Sequence, residues 1–145
     1  MKRTIALFFL FLGLTAAYSQ NLKERQAIAG LDFGWAEKRI ADNYGSAVKI
    51  SVDAPSFAGD MDAISYAASR GSDIAANAIA TICDDKLGKE ALVAKKLTSI
   101  VLVNNAKKKP TVAIANGTMT LTIGFSSDDN HFSEQELTSA IEDLL

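Results

Sequence analysis

The sequence contains one cysteine and one histidine, so a thiol nucleophile and its base could come only from Cys83 and His131. A thiol reacts as the thiolate, and neighbouring positive charge is what lowers its pKa. Cys83 instead follows the apolar Ile82 and is followed directly by Asp84 and Asp85. These carboxylates raise the pKa of the thiol, so the sequence favours a buried structural cysteine over a catalytic one. An intermolecular disulfide is the remaining alternative for an unpaired cysteine in an exported protein.

A second group of candidate ligands lies in the acidic loop at residues 128–131, Asp-Asp-Asn-His. Two carboxylates beside an imidazole could hold a cation, but the loop lacks the glycine and the distant bidentate glutamate of an EF-hand. One histidine and one cysteine also exclude a zinc site built from those residue types alone. We therefore predict a solvated loop whose negative charge suits the start of the following helix, and we expect no metal or other cofactor.

Paired carboxylates could support glycoside hydrolysis, and Asp60 and Asp62 precede the second helical segment. Residues two apart on a helix do not face each other, and the helix dipole stabilises acids in a first turn. A sugar site tends to present several exposed aromatic side chains, whereas Trp35 is the single tryptophan and lies in an apolar stripe that predicts a core position. A carboxylate-dependent hydrolase is therefore the weakest alternative, and loss of a measured activity on mutation of Asp60 or Asp128 would be its test.

Positive charge is concentrated in residues 86–109, which hold seven lysines and a single acid, Glu90, for a net charge of +6. The lysines are Lys86, Lys89, Lys95, Lys96, Lys107, Lys108 and Lys109. Residues 20–145 hold six other basic residues and sixteen other acids, and no basic residue follows position 109. Such polarity can steer association, so we predict that these lysines bind an anionic protein or envelope component. The alternative is that they are solvated lysines that protect a hairpin edge from unwanted pairing.

The first 19 residues have the three-part pattern of a secretory signal peptide. A basic start precedes the apolar run 5–14, and Ala17 and Ser19 suit cleavage after position 19. The apolar run is shorter than the ~20 residues of a membrane span. We therefore predict a signal peptide over residues 1–19 that is removed, and a single domain over 20–145. The mature protein is expected to be secreted or periplasmic, without stable membrane insertion.

Composition and charge limit the class of protein further. With 48% hydrophobic and 22% charged residues the chain resembles an average globular protein, which excludes disordered, collagen-like and coiled-coil classes. Without residues 1–19, thirteen basic residues stand against seventeen acidic ones, a net charge of −4. General nucleic-acid binding is typical of basic domains, so we predict no nucleic-acid partner.

Apolar spacing predicts helices and strands in the order α-β-α-α-β-β-β-α. The predicted helices cover about 22–44, 60–84, 89–97 and the segment from Ser133, and two of the predicted strands cover about 48–52 and 99–104. Gly71 interrupts the second helix, where glycine costs about 1 kcal/mol relative to alanine, so we expect a packing reason or a break there. Ser133 and Glu136 match the capping box that begins a helix.

The clearest local signal is the Asn-Gly dipeptide at 116–117, between two alternating apolar runs. A type I′ turn needs positive φ at both central residues, which Asn-Gly provides. This turn would pair Ile114 with Met119 and Val112 with Leu121, so that both apolar sets share one face of a hairpin. The opposite face would carry only threonine and alanine, and is flat and small enough to pack against a second copy.

These elements predict an α+β fold: a two-layer domain with an antiparallel sheet of about four strands, covered by helices on one face. The sequence shows no nucleophile–base pair, phosphate-binding glycine loop or metal set, so we expect a non-enzymatic exported domain that binds another macromolecule. An edge strand near Val48–Val52 could accept a partner strand, and a homodimer through the threonine and alanine face belongs to the same class. The alternative is a small-molecule or lipid carrier with an apolar pocket between helices and sheet.

Overall fold

The computed structural model describes residues 21–145, and the signal peptide predicted over residues 1–19 lies outside them. The helices are α1 (Leu22–Ala29), α2 (Gly34–Tyr44), α3 (Met61–Tyr66), α4 (Asp73–Asp84), α5 (Lys86–Ala94) and α6 (Glu134–Glu142). The strands are β1 (Lys49–Val52), β2 (Ser99–Asn104), β3 (Thr111–Ala115) and β4 (Thr118–Ile123). A 3-10 turn (Ala54–Phe57) follows β1, and a π-helical turn (Ala67–Ser72) joins α3 to α4. The predicted mixture of helices with a four-stranded sheet is confirmed.

The sheet has the strand order β1-β2-β4-β3 and is mixed, so the prediction of an antiparallel sheet is only partly right. β1 pairs parallel with β2, and β2 pairs parallel with β4, whereas only β3 and β4 are antiparallel. The chain passes through α3, α4 and α5 between β1 and β2. Such a helical crossover brings the chain back to the same end of the sheet, which a parallel pair requires.

The β3–β4 hairpin matches the sequence prediction residue by residue. Ile114 pairs with Met119, and Val112 with Leu121. The turn has φ 52° at Asn116 and φ 76° at its glycine, the two positive values that the Asn-Gly dipeptide was expected to supply. The local sequence therefore determines the register of this hairpin, because a two-residue turn fixes which residues face each other.

The helix predicted over 22–44 is two helices, and this break reverses the prediction for Trp35. Gly30 ends α1, and the carboxylate of Asp32 accepts the N–H of Gly34 (2.8 Å) as α2 begins. The buried stripe of α2 consists of Ala36, Ile40 and Tyr44. Trp35 lies about 100° away from Ala36 around the helix and is 57% exposed. The predicted core position for this tryptophan is therefore wrong.

The second helical segment contains both features expected at Gly71. The glycine lies inside the π-helical turn that interrupts the α-helical pattern. A β-carbon at this position would lie 2.7 Å from Phe125 Cε1 and 2.9 Å from Leu102 Cδ1. The absent side chain therefore lets the helix approach the sheet closely. The next helix, α5, begins three residues earlier than predicted, because Asp85 accepts the N–H of Gly88 (2.8 Å).

The core lies on one face of the sheet. Burial alternates along β4, where Met119, Leu121 and Ile123 are buried and the threonine that precedes each of them is half-buried. In β2, Ile100 and Leu102 are buried, whereas Val101 and Val103 are half-buried. Within residues 21–145, no helix combines the length and the apolar character that crossing a bilayer requires.

Candidate functional site

The seven lysines predicted to bind a partner do not form one surface. Lys95 and Lys96 follow α5, beside the β3–β4 turn, where the N–H of Thr98 donates to the carbonyl of Gly117 (2.8 Å). The lysine loop, defined as Lys107, Lys108 and Lys109, connects β2 to β3 at the opposite end of β2. A six-residue strand spans about 20 Å, which separates the two groups. Their role in binding stays a prediction.

The remaining two lysines lie on α5. The ammonium of Lys86 is 3.9 Å from the carboxylate of Glu90, in an exposed pair one helical turn apart. Lys89 lies near Cys83 and favours its thiolate, but burial is the larger influence and raises the pKa of the Cys83 thiol. The half-buried thiol is therefore protonated near neutral pH, which agrees with a structural cysteine.

Asp128 and His131, two of the candidate ligands in the acidic loop, make hydrogen bonds to neighbouring residues. Arg70 donates to the carbonyls of Phe125 (3.0 Å) and Ser127 (2.9 Å) and to the carboxylate of Asp128 (2.8 Å). Nδ1 of His131 lies 3.1 Å from the Ser127 carbonyl oxygen. Among residues 21–145, no three histidine, cysteine or acidic side chains are grouped so that they could hold a metal ion. This arrangement organises the loop between β4 and α6.

Asp60 lies at the centre of a polar cluster where β2 and β4 end. One of its carboxylate oxygens caps α3 by accepting the N–H of Ala63 (2.9 Å). The other oxygen accepts bonds from the hydroxyl of Ser126 (2.8 Å) and the amide of Asn104 (3.3 Å). Asp62 is exposed in the first turn of the helix and is not part of this cluster. The bonds of Asp60 connect the start of α3 to the end of β2 and to the chain that follows β4.

Trp35 is the most exposed aromatic side chain in residues 21–145, and its environment is polar. The guanidinium of Arg39 lies 5.8 Å from the centre of its ring. The adjoining groove, about 330 Å³, is completed by Lys38, Asp42 and Asn43. Tryptophan and arginine are enriched at binding hot spots. Lys38 and Asp42 pair with each other within this groove, so their charges are already compensated.

The face of the sheet opposite the core carries small, mostly uncharged side chains. The strand register places eleven side chains on this open sheet face: Lys49, Ser51, Ser99, Val101, Val103, Thr111, Ala113, Ala115, Thr118, Thr120 and Thr122. They are exposed or half-buried. The hydroxyls of Ser99 and Thr118 lie 2.9 Å apart across β2 and β4, so part of the polar surface is internally satisfied.

The two edges of the sheet differ. β1 is an edge strand, as predicted, but its outward N–H at Ile50 donates to the carboxylate of Glu37 on α2 (2.9 Å). The other carboxylate oxygen of Glu37 accepts a bond from the ammonium of Lys49 (2.9 Å). The backbone bond from Ile50 is the main reason that the pKa of Glu37 is lowered. A side chain therefore occupies the position that a partner strand on β1 would need.

β3 forms the other edge, and its outward backbone groups are unoccupied by described residues. The pair beside a two-residue turn exchanges hydrogen bonds, and bonded and non-bonded pairs then alternate along an antiparallel ladder. Ala115, Ala113 and Thr111 therefore bond to β4, whereas the N–H and C=O groups of Val112 and Ile114 point outward. These outward groups make no hydrogen bond to another residue of 21–145.

Sequence reasoning could identify only part of this site. Pro110 and three lysines before β3 are typical of an edge strand. Glu37 gives no comparable signal, because it lies thirteen residues from Ile50 in the chain and only the packing of α2 beside β1 brings them together.

Comparison of the chain with protein-family models, with curated proteins and with solved structures finds no match. The candidate site is therefore defined by geometry alone. It consists of the open sheet face together with the adjoining outward edge of β3.

Proposed function

We propose that this protein is an exported, non-enzymatic domain that binds another macromolecule through the open sheet face. The observation that carries the proposal is the composition of that face, which outside Lys49 is built from neutral serine, threonine, alanine and valine. In this arrangement the helices cover only the opposite, buried face of the sheet. Small and β-branched side chains lose little rotamer freedom on burial, so a partner can cover this face at a low entropic cost.

The size of the open sheet face limits how a partner can bind. Four strands about 4.8 Å apart and five residues long present a flat area of roughly 300 Å². A stable interface buries about 800 Å² on each partner. The partner must therefore extend beyond the flat face onto neighbouring parts of the surface, or bind only transiently.

Photo-crosslinking tests this proposal. Benzoyl-phenylalanine replaces Thr120, at the centre of the open sheet face, in the full chain expressed in its own host. A matched variant carries it at Ser139, an exposed position on α6. Illumination is expected to attach a second protein or an envelope polymer at position 120, to be competed by unlabelled wild-type protein, and to leave position 139 unattached.

Three outcomes would contradict the proposal. Equal crosslinking at positions 120 and 139 would show that the open sheet face is not selective. A bare monomer at both positions would show that no macromolecule is bound. A small ligand in the native mass, without a crosslinked macromolecule, would support the carrier alternative.

A further inference from the structure

We infer that the outward edge of β3 receives an extended acidic segment of a partner protein, which joins the sheet as a fifth strand. This inference rests on the proposed function, because it names where and how a protein partner would bind. The backbone of Val112 and Ile114 would bond to the added strand, and lysines at both ends of β3 would attract its acidic ends.

The backbone of β3 has the geometry that strand addition needs. Val112 and Ile114 present two N–H and two C=O groups, alternating along one side of the strand. An added strand forms main-chain bonds to such groups, while its side chains alternate between the two faces. The β1 edge offers no equivalent set, because Glu37 accepts the N–H of Ile50. Among residues 21–145, nothing therefore blocks extension of the sheet on the β3 side.

Charge favours an acidic occupant. The lysine loop leads directly into β3, and Lys95 and Lys96 lie beside the turn at its other end. These five lysines make no ion pair with any described residue, in contrast to Lys38, Lys49 and Lys86. The groove at the start of β3 does contain Asp129 and Glu136. Glu136 accepts bonds from the N–H and hydroxyl of Ser133 (both 2.8 Å) and keeps its negative charge, so it and Asp129 offset part of the positive charge of the lysine loop. The five lysines at the two ends of β3 still outnumber these two acids.

The same charges disfavour a second copy as the occupant. A two-fold arrangement that bonds all four outward groups places Val112 opposite Ile114 of the other copy, with Ala113 at the centre. Residue 109 of one copy then faces residue 117 of the other. The lysine loop would lie against Lys95 and Lys96 of the second molecule, and like charges at such close range repel. A partner with carboxylates near both ends of its strand avoids this repulsion.

Side chains on β3 leave room for the added strand. Thr111, Ala113 and Ala115 are exposed and small on the open sheet face. Val112 and Ile114 are half-buried and pack against the core on the other face. The matching segment therefore has apolar residues at alternate positions, next to Val112 and Ile114, with aspartate or glutamate at its two ends.

The test uses ¹⁵N-labelled full mature chain and the synthetic peptide Asp-Glu-Val-Thr-Val-Thr-Val-Glu-Asp. Binding is expected to slow hydrogen exchange of the Val112 and Ile114 amides, with little change at Ile50. A peptide of the same core with lysines at its ends is expected to bind at least about tenfold more weakly, since each end then faces like charge. Added salt should weaken binding of the acidic peptide.

Two pairs of variants separate backbone from charge. Val112→Pro removes one outward N–H without removing a bond to β4, whereas Val112→Ala keeps the N–H and loses the side chain. We expect about tenfold weaker peptide binding for the proline variant than for the alanine variant, the effect of one hydrogen bond. Lys107→Glu/Lys109→Glu should weaken binding more than Lys86→Glu/Lys89→Glu, which reverses the same number of charges on α5.

Several results would overturn this inference. They are protection at Ile50 in place of Val112 and Ile114, no protection with either peptide, equal binding of both peptides, or a dimer joined through β3. If position 120 still crosslinks a partner in that case, binding through the open sheet face stands and only the strand-addition inference is wrong. If the crosslink is also absent, the proposed function itself is wrong.

Discussion

Lys96 adopts a backbone conformation that side chains other than glycine rarely favour. Its φ is 53°, and among residues 21–145 the only other non-glycine with positive φ is Asn116 in the hairpin turn. Lys96 follows the end of α5, where its N–H donates to the carbonyl of Val93 (2.9 Å). The next residue, Leu97, donates its N–H to the hydroxyl of Tyr44 (2.9 Å), which fixes the entry into β2.

Replacing Lys96 with glycine is expected to stabilise the fold. Glycine adopts positive φ without steric cost and is the preferred residue just past a helix end, so the gain should be roughly 0.5–1 kcal/mol in the free energy of unfolding. Urea denaturation followed by circular dichroism measures it. Lys95→Gly is the control: Lys95 has φ −75°, so glycine there should destabilise the helix end. Equal losses in both variants would contradict this account of the turn.

Trp35 shows the limit of inference from single residues. Its apolar type and spacing predict a core position, yet the chain breaks between α1 and α2 and the side chain is 57% exposed. A shift of one position around a helix moves a side chain by about 100°. Ala36, Ile40 and Tyr44 pack into the core, and their positions determine which side of α2 faces the core. The hydrophobicity of Trp35 alone does not reveal this orientation.

At the scale of elements, the helical segment from Met61 to Asp84 depends on the missing side chain of Gly71. Gly71→Ala is expected to destabilise the fold by about 1–3 kcal/mol, because the new methyl group would overlap Phe125 and Leu102. Thermal or urea unfolding measures the loss. Ser69→Ala changes an exposed position in the same π-helical turn and should be nearly neutral. A neutral Gly71→Ala variant would show that the helix can move away from the sheet without cost.

The contact between α2 and β1 makes stability depend on pH through Glu37. Bonds from Ile50 and Lys49 lower the pKa of this carboxyl below its ordinary value in the unfolded chain. Its contribution to stability is therefore present above the unfolded-state pKa, and it is lost as pH falls through that value towards the lower folded-state pKa. Glu37→Gln should lower stability at neutral pH and flatten this part of the acid profile.

Urea denaturation of wild type and Glu37→Gln between neutral and acid pH measures this effect. The difference between the two proteins should be largest at neutral pH and shrink as the medium becomes acidic. Asp62→Asn is a suitable comparison, because Asp62 is an exposed first-turn acid outside this contact. A difference that grows towards acid pH would contradict the role assigned to Glu37.

The sequence predicts best those elements whose structure depends on residues close together in the chain. The type I′ turn depends on two adjacent residues, and the capping box of α6 on Ser133 and Glu136, and both are present as expected. The strand order depends on contacts between distant residues, such as Lys49 with Ser99, which no local pattern encodes. The parallel pairing of β1 with β2 therefore differs from the predicted antiparallel sheet, although both strands lie where the sequence predicts them.

At the scale of the whole molecule, the charge asymmetry of the sequence does not become one positive surface. The lysines that are close in the chain are distributed between α5, the region after it and the loop before β3. The fold instead places the lysine loop at the start of β3 and Lys95 and Lys96 beside the β3–β4 turn, with the mostly uncharged sheet face between them. In place of the site predicted from charge alone, we therefore propose the edge of β3 with the open sheet face beside it.

The unequal edges also govern the stoichiometry of any complex formed by strand addition. A sheet with two free edges can pair at both and grow into a polymer, whereas Glu37 closes the β1 side here. One molecule can therefore accept one strand, and repulsion between lysines opposes joining two molecules through β3. We therefore expect assembly by this route to end at a one-to-one complex, in which the chain forms one end of the extended sheet.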